Sequence, residues 1–167
     1  MATKSDFTSD EWKQVLKAPL WTSVVVVAAS PSGPFGVVKE MFTAGKVLAE
    51  AKAKSGGNPI VDALVADLAT PEGRKEAQPA EISGKSPDDV RNAALAALRQ
   101  VASLVDRKAG ADAEGFKRWL LSLSDRVAEA SKEGGFLGIG GTRVSEQETA
   151  ALKDTAAALG VSGSTHA

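Results

Sequence analysis

Cysteine and tyrosine are absent from this chain, and its single histidine, His166, stands beside the last residue. Without cysteine there is no disulfide, no thiolate metal site and no thiol nucleophile. Histidine is the commonest general base and metal ligand, so one histidine in a tail leaves little of that chemistry. The Glu-x-x-His motif of di-iron bundles needs an internal histidine and is excluded. Serine catalysis would need a lysine base, and Ser5, Ser9 and Ser145 read instead as turn or cap residues. No apolar run is longer than Val24 to Ala29, far short of the ~20 residues that span a bilayer. The opening MATKSDFTSDEW lacks the apolar core of a signal peptide. A soluble, cytoplasmic protein without stable membrane insertion is the expectation.

A surplus of charge of one sign is also lacking. Twenty basic residues face 21 acidic ones, for a net charge of −1. A nucleic-acid binder normally carries a basic surplus, so nucleic acid is not an expected partner. The same neutrality gives little electrostatic protection against self-association. With 167 residues, 43% of them apolar and 25% charged, the chain has the composition of one ordinary globular domain. At that length folding removes about 70% of the unfolded surface from water.

What the sequence does have is a series of helix starts and stops. Thr8 can cap a first helix, Glu11 can close its capping box, and Phe7 can staple onto Trp12. Pro19 is expected to end that helix and to sit in the first turn of the next. The next stretch, Leu20 to Ser30, carries four valines. Valine favours strands, but nothing alternates here and no partner strand exists, so the stretch reads as a buried helix. After Pro31 and Pro34, the residues Phe35, Val38, Phe42, Leu48 and Ala49 recur at helical spacing as far as Lys54. Asn58-Pro59 opens a helix carrying Ile60, Val61, Leu64, Val65 and Leu68. Thr70-Pro71-Glu72 starts one short polar turn, and residues 76–85 read as the longest exposed connection. Ser86-Pro87-Asp88-Asp89 opens a helix that runs to Lys108, with Gly110 placed to end it. Asp112 is expected to cap the helix bearing Phe116, Trp119, Leu120, Leu123 and Val127. Ser145 with Glu148 forms a second capping box, before a helix that ends at Gly160. The fold class is therefore all-α: a single compact domain of six or seven helices over residues 7–160. Residues 1–6 read as a flexible lead-in and residues 161–167 as a flexible tail.

One segment interrupts this pattern. Residues 134–141 read GGFLGIGG, five glycines in eight positions carrying Phe136, Leu137 and Ile139. Glycine pays a large ordering entropy, so such a stretch implies unusual dihedrals or a close backbone approach. A phosphate cradle is excluded by context: Gly141 is followed by Thr142-Arg143 rather than Lys-Ser/Thr, and no strand precedes. Two roles remain for the three apolar side chains, a plug in the core or a contact offered to a partner. A shallow membrane wedge would need more basic support than Lys132 and Arg143 supply. Trp12 and Trp119 fit apolar stripes and read as core, whereas Trp21, beside Pro19-Leu20, is a candidate interface residue. The carboxylates offer no metal site. Glu146 and Glu148 diverge around a helix, and Asp88 and Asp89 suit the positive end of theirs.

The stretches 24–41 and 126–160 share an order of helix, Gly-containing loop with an embedded Phe, and helix, which suggests two pseudo-related helical hairpins. Ala28-Ala29-Ser30 before Gly33 begins one; Ala128-Glu129-Ala130 before Gly134, then Ser145-Glu146-Gln147-Glu148, forms the other. In these segments the chain resembles the TerB-like (tellurite-resistance-associated) all-helical domains. The resemblance covers the two ends of the chain and implies an all-helical fold. In that family, metal binding is associated with acidic loop positions. Here Ser30 and Ser32 occupy the first loop, and glycine with hydrophobes fills the second. No catalytic, cofactor-binding or metal-ligating residue is therefore named. The sequence points to a non-enzymatic helical protein acting through protein–protein interaction or self-association, with Trp21, Phe136, Leu137 and Ile139 as candidate contact residues. The alternative is a TerB-like metal or small-ligand binding module.

Overall fold

Helix α1, Ser9–Ala29, starts where the sequence places it and runs straight past the residue expected to end it. Its start is a reciprocal capping box: the Thr8 amide donates to Glu11 Oε2 at 2.8 Å and the Glu11 amide donates to Thr8 Oγ1 at 3.3 Å. The Phe7 ring lies against Trp12 with centroids 5.6 Å apart, which completes the expected staple. Pro19 lies inside the helix rather than at its end. A proline within a helix costs about 3 kcal/mol, through the lost N–H and the ring's clash with the preceding turn. Here burial on both sides opposes that cost, since Val15, Leu16 and Ala18 before it and Val24 to Val27 after it are all buried. The hydroxyls of Thr22 and Ser23 both donate to the Pro19 carbonyl, at 2.7 and 3.0 Å. One long buried helix therefore replaces the expected pair.

The structure is a computed structural model and describes residues 1–29, 56–78, 86–133 and 146–162. Among these it is all-α, 84% helical, with six α-helices and no strand. After α1 come α2 (Pro59–Leu68), α3 (Pro71–Ala77), α4 (Pro87–Lys108), α5 (Asp112–Glu133) and α6 (Glu146–Leu159), and a 3-10 turn, Lys4–Asp6, precedes α1. The helix expected from Phe35 to Lys54 lies outside the described residues. So do residues 134–141 with Phe136, Leu137 and Ile139, Ser145, and the loops of both suggested hairpins.

Local signals set most of the helix ends. Asn58 Oδ1 accepts from the amides of Ile60 and Val61, and Pro59 occupies the first turn of α2. Thr70 caps α3, which makes seven residues where a single turn was expected. The α2–α3 corner is tight, because a Cβ on Gly73 would fall 2.0 Å from the Asp67 carbonyl oxygen. Ser86 and Asp89 form the capping box of α4. Gly110, at φ +52°, turns the chain between α4 and α5. At the end of α6 the Val161 amide donates to the Ala156 carbonyl and the Gly160 amide to that of Ala157, a Schellman arrangement around a left-handed glycine. Val161 is consequently turned inward and only 7% exposed, so the interior extends one residue into the expected tail.

The second half of α1 is buried nearly all round, and α1 touches every other described helix. Such a helix shows little amphipathic periodicity, which is why its valines do not alternate. Around it a continuous interior gathers Trp12, Leu16, Ile60, Leu64, Leu98, Phe116, Trp119, Leu120 and Leu159. Phe116 and Trp119 stack with centroids 5.9 Å apart. Trp12 and Trp119 are thus core residues, as their spacing suggests. A smaller apolar cluster of Val26, Val27, Val127 and Ala128 stands apart from this interior, with Leu152 packed against it. Among the described residues no helix is long and apolar enough to cross a membrane.

Candidate functional site

Among the described residues, a set of long-range polar contacts gathers where the first seven residues cross the ends of four helices. Ala2 is buried, and its amide donates to Asp112 Oδ2 at 2.6 Å. Asp112 is therefore not the cap it was expected to be: it is the first residue of α5, and its carboxylate is turned onto the opening of the chain. Its carbonyl accepts from Asn58 Nδ2 at 2.8 Å, which ties the start of α5 to the cap of α2. Lys4 Nζ reaches Asp67 Oδ2 at 2.6 Å, and Trp12 Nε1 donates to that same oxygen at 2.7 Å. Lys4 also lies 5.8 Å from the centroid of the Trp12 ring. At the end of α4, Lys108 Nζ donates to the Asp6 carbonyl at 3.1 Å and pairs with Glu11 Oε2 at 2.8 Å. Residues 1–6, expected as a loose lead-in, are held at three points by side chains far away in sequence.

The electrostatics of this junction run in one direction. Burial pushes the Asp67 carboxyl up, but the hydrogen bonds from Lys4 and Trp12 outweigh it and hold the group below its ordinary value. The hydrogen bond from Lys108, followed by that of the Thr8 amide, holds Glu11 low. The Thr3 amide and then its hydroxyl do the same for Asp6. All three acids are therefore stabilised as carboxylates.

Beside the junction opens a cleft of about 810 Å³, one of whose walls is the opening turn itself. Thr3, Lys4, Ser5 and Phe7 come from that turn, Ser9, Trp12 and Lys13 from α1, and Glu76 from α3. Its two ammonium groups are engaged, Lys4 with Asp67 and Lys13 with Asp10. Away from this cleft, Lys117 is a buried cation between α4 and α5, with Asp106 at 2.7 Å and Glu114 at 3.7 Å. Among the described residues no three His, Asp or Glu side chains gather as a metal-binding group.

Of the four candidate contact residues, only Trp21 falls within the described residues. It is half-buried on α1 and packs against the main interior. Phe136, Leu137 and Ile139 lie outside them, so the four are not brought together here. The junction residues Lys4, Asn58, Asp67, Lys108 and Asp112 were not singled out by their sequence as a group. Asn58 and Asp112 carried capping signals, but nothing local marks Lys4 and Asp67 as partners across 63 positions. Comparison with known protein families, with curated proteins and with solved structures finds no match for this chain.

Proposed function

We propose that this chain is a non-enzymatic helical protein that acts by binding protein, with a second copy of itself as the first partner. The observation that carries this reading is the run of three large apolar side chains, Phe136, Leu137 and Ile139, in the glycine-rich residues 134–141. Residues 134–141 follow α5 directly in the sequence. The last turn of α1 and the second half of α5 share a buried apolar cluster of Val26, Val27, Val127 and Ala128, separate from the main interior, with Leu152 packed against it. Trp21 lies on α1, the helix that supplies Val26 and Val27. A net charge of −1 adds little repulsion between copies.

Light scattering after size exclusion, from micromolar to millimolar protein, tests the reading. A dimer or larger species is expected, and Phe136→Ser with Ile139→Ser should return it to monomer while the melting temperature moves by less than about 2 °C. A monomer at every concentration would overturn self-association. A large fall in melting temperature would instead make the glycine-rich segment a core plug. Metal retained through purification, detected by elemental analysis, would replace this reading with the metal-binding alternative.

A further inference from the structure

We propose that residues 1–7 form a strap that opens as a separate unit while the helices stay folded, with Lys4 on Asp67 as its catch. Opening uncovers Trp12 and removes one wall of the cleft beside it.

The division is visible in the hydrogen bonding. The strap's backbone bonds, from the Asp6 amide to the Thr3 carbonyl and from the Phe7 amide to that of Lys4, begin and end within it. The Asp6 carboxylate is likewise taken up by the amide and hydroxyl of Thr3. Helix α1 begins independently, because its first turn is closed by Thr8 and Glu11. No helix loses an internal hydrogen bond when the strap departs, so the break falls at Thr8. Segments of this kind open below the free energy of global unfolding.

The attachments are few and of a kind that can be released. Only Ala2 and Phe7 are buried, at 6% and 7% exposure, and Thr3 to Asp6 between them are exposed. The Lys4 and Asp67 side chains are 55% and 25% exposed, so water and salt reach their ion pair. Asp67 still accepts from Trp12 and Lys108 still pairs with Glu11, while the Asp112 carboxylate, 22% exposed, gives up the Ala2 amide to water. What opening does expose is the Trp12 ring, which Phe7 and Lys4 cover in the closed form. Thr3, Lys4, Ser5 and Phe7 leave the cleft at the same time, and Ser9, Trp12, Lys13 and Glu76 remain as an open face.

Hydrogen exchange on the full chain, read by mass spectrometry, tests the strap. Amides of residues 2–7 are expected to exchange well ahead of those in the middle of α4 and α5. Lys4→Met should speed exchange in residues 2–7 by roughly two- to fivefold and leave α4 and α5 unchanged, as should raised salt in the unsubstituted chain. Lys4→Arg, which keeps the charge, should restore the slower rate. Iodide quenching of tryptophan fluorescence should rise with Lys4→Met. Exchange of residues 2–7 only in step with α4 and α5 would overturn the proposal. So would Lys4→Met accelerating every helix equally or leaving residues 2–7 unaffected.

Discussion

Trp12 Nε1 and Lys4 Nζ meet on one oxygen of Asp67, at 2.7 and 2.6 Å. Trp12 is 3% exposed, so its indole N–H relies on that oxygen for its hydrogen bond. Asp67→Ala leaves a buried donor unpaired and is expected to destabilise the fold by about 1–3 kcal/mol. Asp67→Asn retains a carbonyl oxygen for the indole and loses only the charge facing a half-exposed lysine, so it should cost less than about 1 kcal/mol. Urea unfolding of both variants separates the two contributions. Equal losses would mean that the ion pair, and not the indole bond, carries the contact.

A second pair gives a prediction whose sign depends on its neighbour. Gly115 lies in the first turn of α5, and a Cβ there would stand 2.9 Å from Asn58 Nδ2. Replacing a helical glycine by alanine ordinarily stabilises by about 1 kcal/mol. Here the added methyl displaces the amide that holds the Asp112 carbonyl, so Gly115→Ala is expected to destabilise. Asn58→Ala alone should cost about 1–2 kcal/mol, because α2 loses its cap. In that background Gly115→Ala should turn stabilising, since nothing remains for the methyl to strike. A double-mutant cycle with no coupling between the two sites would refute this geometry.

These contacts also show which parts of the fold the sequence makes legible. Thr8 with Glu11, Asn58 with Ile60, and Ser86 with Asp89 act within three positions, so their chemistry can be read from spacing alone. The valine-rich stretch of α1 reads correctly as buried helix because no partner strand was available. Pro19 reads wrongly, since the local rule that proline ends a helix is overridden by burial of the segments on either side. Asp112 misleads for a related reason: a capping residue by type, it serves Ala2 across 110 positions. The Lys4–Asp67 pair leaves no trace in either local segment. Phe136, Leu137 and Ile139 owe their selection to composition and Trp21 to its place beside Pro19-Leu20, and of the four only Trp21 falls within the described residues.

Acid should loosen the junction in a definite direction. Asp6 and Asp67 have an ordinary value of 3.8 and Glu11 one of 4.5, and the fold holds all three lower. The folded chain therefore binds fewer protons at these sites than the unfolded chain. Their contribution is fully present above the ordinary values and is lost as pH falls through the lowered ones. The urea midpoint should be flat from neutrality to roughly pH 5 and fall below about pH 4.5. Asp67→Asn should make that fall shallower. A midpoint that rose between pH 5 and pH 3 would contradict the sign assigned to all three groups.

Ser124 supplies the last prediction, because it departs from the other interior hydroxyls. Thr22, Ser23 and Thr155 are completely buried, and each donates to a carbonyl of its own helix. Ser124 is equally buried, and its Oγ has no hydrogen-bond partner among the described residues. An unpaired hydroxyl in the interior keeps its desolvation cost with nothing to offset it. Ser124→Ala removes that cost and gains helix propensity, so it should stabilise by up to about 1 kcal/mol. Ser23→Ala is the matched control: the same atoms are deleted, but a bond to the Pro19 carbonyl is lost, and a loss of up to about 1 kcal/mol is expected. Calorimetry on the two variants should move their melting temperatures in opposite directions. If Ser124→Ala proved the more harmful of the two, its hydroxyl would have to be bonded to an interior water.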